Sequence, residues 1–186
     1  MRLLQMPNMI FSFHGGWDEL VRIHPTVSRM FARVVLPLSL LPAAMIYYAG
    51  GNYGDVFVAG VSPEQWHAAA GIFFVAELLT VPVMAWITHL ASRANSVSAE
   101  YQDCFTISAI TPIPLWLSSL VLFIPNLISG VIVGGLALAC SLALTYRGVY
   151  SLLHMHEGLQ AFQMAIVVTG AGLLAWLVLM QIVLIH

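Results

Sequence analysis

QWHAAAGIFFVAELLTVPVMAWITH, residues 65–89, is the stretch of sequence that decides the fold. Glu77, near the middle, is its one Asp, Glu, Lys or Arg residue, and the rest is dominated by apolar residues. About 20 mostly apolar residues are enough to cross the hydrocarbon core of a bilayer as a helix. The apolar residues do not alternate with polar ones, which is typical of a helix rather than a barrel strand. Residues 65–89 therefore predict a membrane-spanning helix.

Four further apolar runs indicate four more spans. Together with the first they predict an all-α membrane protein whose domain, residues 34–186, is a bundle of five transmembrane helices. Ser62 followed by Pro63 is a typical helix start and indicates where the second span begins. GGNYGD at residues 50–55 predicts the start of the loop that connects the first span to the second. The five spans are expected at about 34–50, 65–89, 104–124, 127–146 and 159–185.

Composition excludes several classes of protein. Of the 186 residues, 60% are hydrophobic and only 8% are charged, whereas a soluble domain carries roughly 25% charged residues. The chain has no lysine and a net charge of −2, so it lacks the basic surface that binds nucleic acid. It also lacks the nucleophile elbow, the zinc-binding HExxH pair and the dinucleotide-binding glycine motif. We therefore expect neither a soluble enzyme nor a cofactor.

The arginines are distributed on one side of the predicted membrane. Residues 1–33 carry four of the six, and the two connections that follow the second and fourth spans carry one each. The opposite connections and the carboxyl terminus carry none. Because positively charged loops stay in the cytoplasm, this pattern predicts a cytoplasmic amino terminus and a carboxyl terminus outside.

Residues 1–33 form a predicted cytoplasmic segment. Within it Trp17, Leu20 and Ile23 recur at three-residue intervals, while Asp18, Glu19 and Arg22 fall between them. This spacing predicts a short amphipathic helix at the cytoplasmic face of the membrane. The alternative is a linker that packs under the bundle.

Of the residues in the predicted spans, Glu77 has the highest free-energy cost of insertion into the bilayer. An acidic side chain at mid-bilayer costs roughly 2.5–3.5 kcal/mol on insertion scales, and burial favours its neutral, hydrogen-bonding form. One interpretation is an ion or proton relay, or a polar site within the bundle. The other is a hydrogen bond that holds helices together, with Thr80, Thr111, Ser118 or Thr169 as its partner.

The third predicted span is interrupted by Thr111-Pro112-Ile113-Pro114. Each proline removes a backbone donor, so the helix has to kink or break there. The freed carbonyls require partners, which indicates a position inside the bundle or beside a polar cavity. Broken helices mark binding sites in transporters, although proline kinks also occur in proteins that transport nothing.

Two weaker patterns point to helix packing and to metal. Gly130 and Gly134 form a GxxxG pair in the fourth span, which predicts close helix packing within the chain or, alternatively, between two copies. His154 and His156 lie in the connection between spans four and five. They are reasonable ligands for a transition metal, or else polar residues at the membrane surface.

Three local stretches carry a resemblance to a known family. Residues 17–23 are followed by His24-Pro25, Asp103-Cys104-Phe105 precedes Thr111-Pro112, and Tyr146-x-Gly148 precedes Glu157-Gly158. Together with the five spans, these stretches resemble the Yip (Yip1-domain) family, in particular its small bacterial inner-membrane members. The resemblance implies a location in the bacterial inner membrane and no catalytic residues. Eukaryotic members of that family associate with Rab-type GTPases.

These observations leave two main hypotheses about function. The first is a non-enzymatic scaffold or membrane-organising protein, whose partners are membrane lipids, another membrane protein or a second copy. The second is a small transporter or ion-permeating protein with Glu77 and residues 111–114 at a midplane site. A third hypothesis, a metal-responsive membrane protein, rests on His154 and His156.

Overall fold

The structure is a computed structural model that describes residues 15–95, 97–153, 155 and 157–185. Over these residues the chain is helical and contains no strand. Five helices are long and apolar enough to cross a membrane, so the predicted fold class is confirmed. A separate short helix, α1, precedes them at Gly15–Ile23. The five spans comprise Val27–Val56, Pro63–Ala94, Tyr101–Phe123 and Leu127–Leu152, with the fifth in the helix Gly158–Ile185.

The first span is longer than the sequence indicated. It begins at Val27 rather than near residue 34, and its turns at Phe31–Val35 are π-helical. Pro37 lies in the first turn of the α-helix Leu36–Tyr53. Because proline has no backbone N–H, it cannot donate to the carbonyl four residues earlier, which belongs to the π-helical segment Phe31–Val35. The apolar run therefore remains one helical span despite its prolines.

The loop predicted at residues 50–55 is instead the helical end of this span. The α-helix continues to Tyr53, and a 3-10 turn covers Gly54–Val56. A Cβ atom on Gly50 would lie 2.2 Å from the Trp66 side chain, and one on Gly54 would lie 2.3 Å from it. These glycines therefore give Trp66 of the second span room to pack, rather than turning the chain.

The second span begins as the sequence predicted. Ser62 is its N-cap, and Pro63 occupies the first turn. The Ser62 hydroxyl accepts a hydrogen bond from the Gln65 backbone N–H, while the Gln65 side chain accepts one from the Ser62 N–H. This capping box satisfies backbone donors that the helix start would otherwise leave unpaired.

α1 packs against the bundle, and the residue that follows it forms hydrogen bonds with the bundle. Trp17 and Leu20 are buried, and α1 contacts the fourth span, where Trp17 lies against Gly148. His24, which follows α1, has a φ of +40°. Its ring Nδ1 lies 3.1 Å from Asp103 Oδ1, and its carbonyl accepts a hydrogen bond from the Gln102 side chain. Trp17 and Leu20 thus contact protein, whereas Ile23 is exposed, and the position of α1 relative to the membrane surface stays a prediction.

Spans four and five are tightly packed at one end of the bundle and less closely packed, or splayed, at the other. Antiparallel spans place Arg22, Arg29, Arg33, Arg93 and Arg147 at the same end. The buried residues of the fourth span run from Ala137 to Leu152, toward that end. Those of the fifth span, from Ala161 to Val168, lie in its half nearest that end. Spans four and five are therefore less buried toward the arginine-free end.

The contact between Trp17 and Gly148 generates a prediction about stability. A Cβ on Gly148 would lie 2.9 Å from the Trp17 ring and 3.1 Å from Ile107. We expect Gly148→Val to destabilise the bundle by about 1–3 kcal/mol, because the added methyl groups displace α1 or strain the core. Thermal unfolding in detergent would measure the loss. Gly71→Val, at a position with nothing within 4 Å of its Cβ, is the control, and equal unfolding temperatures of the two variants would contradict the packing.

Candidate functional site

A cavity of about 670 Å³ lies between spans two, three, four and five. Each of the four spans contributes a polar residue to its wall: Glu77, Thr111, Ser141 and Thr169. Its inner end, toward the arginine-bearing half, is formed by buried residues that include Ser108, Thr145 and Val168. The cavity therefore begins in the packed core and extends into the splayed half of the bundle.

The side of the cavity borders the lipid-facing surface. Val131 of the fourth span and Leu173 and Trp176 of the fifth line the cavity, and all three are exposed. Because lining residues of both spans are exposed here, the gap between the spans connects the cavity to the surface that would face the acyl chains. The opening is lateral and apolar.

Glu77 is held by a residue that the sequence analysis did not identify. The Trp116 indole N–H donates a hydrogen bond to Glu77 Oε1 at 2.7 Å, and Trp116 is buried. The predicted partners do not make this bond: the Thr80 hydroxyl donates to the Ala76 carbonyl, and that of Ser118 donates to the Leu115 carbonyl. An indole N–H is donor only and requires an acceptor when buried. The sequence did contain a signal for this bond, namely a tryptophan, which carries an N–H donor, within an apolar span.

The break in the third span is confirmed. One helix, Tyr101–Ile110, ends before Thr111 and Pro112, and the next begins at Ile113 and ends at Ser118. Pro112 lines the cavity, whereas Pro114 is buried in the first turn of the second helix. Ser141 of the fourth span donates a hydrogen bond to the Thr111 carbonyl at 2.6 Å. A side chain from a neighbouring helix thus satisfies a carbonyl that the break exposes.

Two hydroxyl groups beside the cavity are unpaired. Ser108 Oγ and Thr169 Oγ1 are buried and make no hydrogen bond to the residues that the structure describes. The Ser108 carbonyl also loses its usual helical donor, because residue 112 is proline. An unsatisfied buried polar group costs about 1–3 kcal/mol. Polar groups without hydrogen-bond partners therefore belong to residues that line the cavity.

Gly130 and Gly134 do not pack closely against another helix of this chain, which corrects one of the two interpretations of the GxxxG pair. A Cβ on either glycine would have no heavy atom within 4 Å. Both line the cavity instead, so the space beside them is open. Association of two copies through these glycines stays a prediction.

The two histidines proposed as metal ligands, His154 and His156, lie outside the described residues. Within the parts of the chain that the structure describes, no group of three or more His, Cys, Asp or Glu side chains could hold a metal ion. The candidate site is therefore the cavity, with Glu77, Thr111 and Pro112 gathered around it.

The Glu77–Trp116 hydrogen bond generates a prediction with two variants. Trp116→Phe removes the donor and should lower the free energy of unfolding by about 1–2 kcal/mol, beyond the effect of Trp86→Phe at an exposed position. Glu77→Gln should cost less, because its carbonyl oxygen still accepts the indole N–H. Thermal unfolding of the detergent-solubilised variants measures both, and equal losses for Trp116→Phe and Trp86→Phe would contradict the bond.

Comparison with known proteins places the chain in a family. The Yip1 domain matches residues 8–179, which include all of the first four spans and most of the fifth. Comparisons with curated proteins and with solved structures gave no match. The match extends over nearly the whole chain, as the resemblance in its local stretches implied. This five-span membrane protein belongs to the Yip1-domain family.

Proposed function

We propose that this protein is a non-enzymatic membrane-organising protein that binds another component of the bilayer in its lateral cavity. The observation that carries the proposal is the gap between spans four and five, which connects a cavity of about 670 Å³ to the lipid-facing surface. Pockets for small ligands commonly measure about 300–1,000 Å³ and are mostly apolar with a few polar groups. The cavity matches this description.

The two halves of the bundle support a binding role in different ways. At the arginine-bearing end, Ile107, Val149 and Leu152 belong to one buried core with Trp17 and Leu20 of α1. This core gives the cavity a closed and fixed inner end. In the other half, Gly130 and Gly134 leave space between the helices. A component of the membrane can enter there without disrupting the core.

The proposed orientation follows from charge. The arginines within the described residues lie at the packed end, and positively charged ends face the cytoplasm. The amino terminus is then cytoplasmic and the carboxyl terminus outside, so the cavity opens in the outer half of the bilayer. The family resemblance supports a bacterial inner membrane as its location.

A second candidate function is transport or ion permeation, and one observation favours it. Glu77 and the break at Thr111 and Pro112 lie on the same cavity, as in a midplane site formed by a broken helix. Transport additionally requires access from the arginine-bearing side, where the buried core closes the cavity. Binding requires no such rearrangement, so it is the function that the geometry supports better.

Photo-crosslinking in native membranes tests the binding role. A benzophenone side chain at Leu173, on the cavity rim, should form adducts with a membrane component that mass spectrometry can identify. Gly134→Leu should reduce these adducts several-fold because it fills the cavity, whereas Gly71→Leu, also in open space but away from the cavity, should not. A benzophenone at Leu79, exposed but outside the cavity, reports random contact with lipid. The same adducts from both positions, insensitive to Gly134→Leu, would contradict the proposal.

Ion flux into liposomes tests the second candidate. If the protein only binds, proteoliposomes containing the wild type and Glu77→Gln should show the same proton flux as empty liposomes. Glutamine retains the hydrogen bond with Trp116 but cannot titrate, so it changes proton transfer without removing the helix contact. A proton flux in the wild type that Glu77→Gln abolishes would establish permeation and overturn the binding role as the main function.

A further inference from the structure

The cavity has features that define the chemical class of its occupant, and this inference rests on the binding function proposed above. We propose that it binds an uncharged lipid with one long apolar chain and a terminal hydroxyl group. The chain would lie along the gap between spans four and five. The hydroxyl would reach the inner end, beside Ser108 and Glu77.

Volume separates a lipid from a partner helix. A membrane helix is about 10 Å wide and has to cross about 30 Å of hydrocarbon. The cavity holds about 670 Å³, within the range of about 300–1,000 Å³ typical of small-ligand pockets, and buried residues close its inner end, so a helix that crosses the whole bilayer cannot lie inside it. A single flexible chain, which occupies a fraction of the volume of a helix, fits this space.

Hydrogen-bonding groups at the inner end indicate a hydroxyl. Ser108 is only 4% exposed, and its hydroxyl has no partner among the described residues. Its carbonyl also lacks a helical donor, because proline occupies position 112. An unpaired donor and an unpaired acceptor thus belong to one residue of the cavity lining, and Thr169, which also lines the cavity, adds a second unpaired hydroxyl. An alcohol, which both donates and accepts, complements this set better than an ether or a hydrocarbon does.

The charges around the cavity argue against an ionic head group. Among the described residues that line the cavity there is no arginine or lysine, and Glu77 is the one acidic side chain. A carboxylate or phosphate would therefore be buried without a positive partner and close to an acidic group. An ammonium group would have to give up its hydration at the depth of the bilayer core. An uncharged polar group avoids both costs.

The route of entry is consistent with a lipid already in the bilayer. Val131, Leu173 and Trp176 form an apolar rim and are exposed. A chain that moves sideways between these residues exchanges one apolar environment for another. The polar end then gains the hydrogen bonds that the Ser108 and Thr169 hydroxyls otherwise lack.

The experiment uses the full chain in phosphatidylcholine vesicles with a diazirine-bearing hexadecanol as the photoactivatable probe. Labelling should map to the cavity and should be displaced by hexadecanol. Hexadecane, hexadecanoate and hexadecylamine should each compete at least about ten-fold less well. Displacement by hexadecane as efficient as by hexadecanol would overturn the hydroxyl assignment, and displacement by either ion as efficient would overturn the preference for an uncharged head group.

Ser108→Ala and Ser39→Ala form a matched pair. Ser39 is a buried serine of the first span that is not among the lining residues of the cavity, and its hydroxyl donates to the Leu36 carbonyl. We expect Ser108→Ala to weaken hexadecanol binding about three- to ten-fold, the loss of one hydrogen bond, and Ser39→Ala to leave it unchanged. In the absence of ligand, Ser108→Ala should not lower the unfolding temperature, because its hydroxyl has no bond to lose. Equal affinities of the two variants would overturn the role of Ser108, and Thr169→Val provides a second test if Ser108→Ala does not fold.

The outcomes distinguish this inference from the binding function on which it rests. If Gly134→Leu removes the crosslinks from Leu173 but hexadecanol does not displace the probe, the cavity binds a component of another class and only the present inference fails. If hexadecanol labelling maps outside the cavity and the Leu173 crosslinks resist Gly134→Leu, both fail.

Discussion

The third span cannot be a continuous helix, and the arrangement around the cavity depends on this constraint. Pro112 and Pro114 have no backbone N–H to donate one turn back, and a bilayer offers no water to replace the missing bonds. The helix therefore stops at Ile110 and begins again at Ile113. The restarted helix carries Trp116 to Glu77 on the second span. The exposed carbonyl of Thr111 is satisfied by Ser141 on the fourth. One sequence feature thus links three spans at the depth where the cavity lies.

The packed and splayed halves of the bundle have different residue chemistry. At the arginine-bearing end, large side chains such as Trp17, Phe105 and Ile107 form one core. α1 is held there by the His24–Asp103 contact as well as by apolar packing. In the opposite half, the fourth span contributes Gly130 and Gly134, which bring no side chain to the space between the helices. Dispersion contacts accumulate where side chains interdigitate, so the two halves differ in how much they resist the entry of a ligand.

Much of the fold was predictable because it follows from hydrophobic length alone. All five spans, and the break in the third, are determined by local composition and by the covalent chemistry of proline. The roles of the glycines were not predictable in this way. Gly50 and Gly54 suggested a turn but make room for Trp66, whereas Gly130 and Gly134 suggested close packing but border open space. A missing side chain permits either outcome, and only the path of the neighbouring helix decides between them.

The site was predictable in its location but not in its pairing. Glu77 was recognised because an acidic side chain is costly in a bilayer, and Thr111 because it belongs to the stretch that the prolines interrupt. The Trp116 bond was missed because it depends on the direction in which the helix restarts after the break, which proline spacing does not specify. The bond also changes how the role of Glu77 is interpreted. An indole N–H can only donate, so Glu77 Oε1 acts as acceptor and the second carboxyl oxygen is not used by Trp116. Glu77 therefore joins two helices and still contributes polarity to the cavity, so the structural and functional interpretations of this residue are not exclusive.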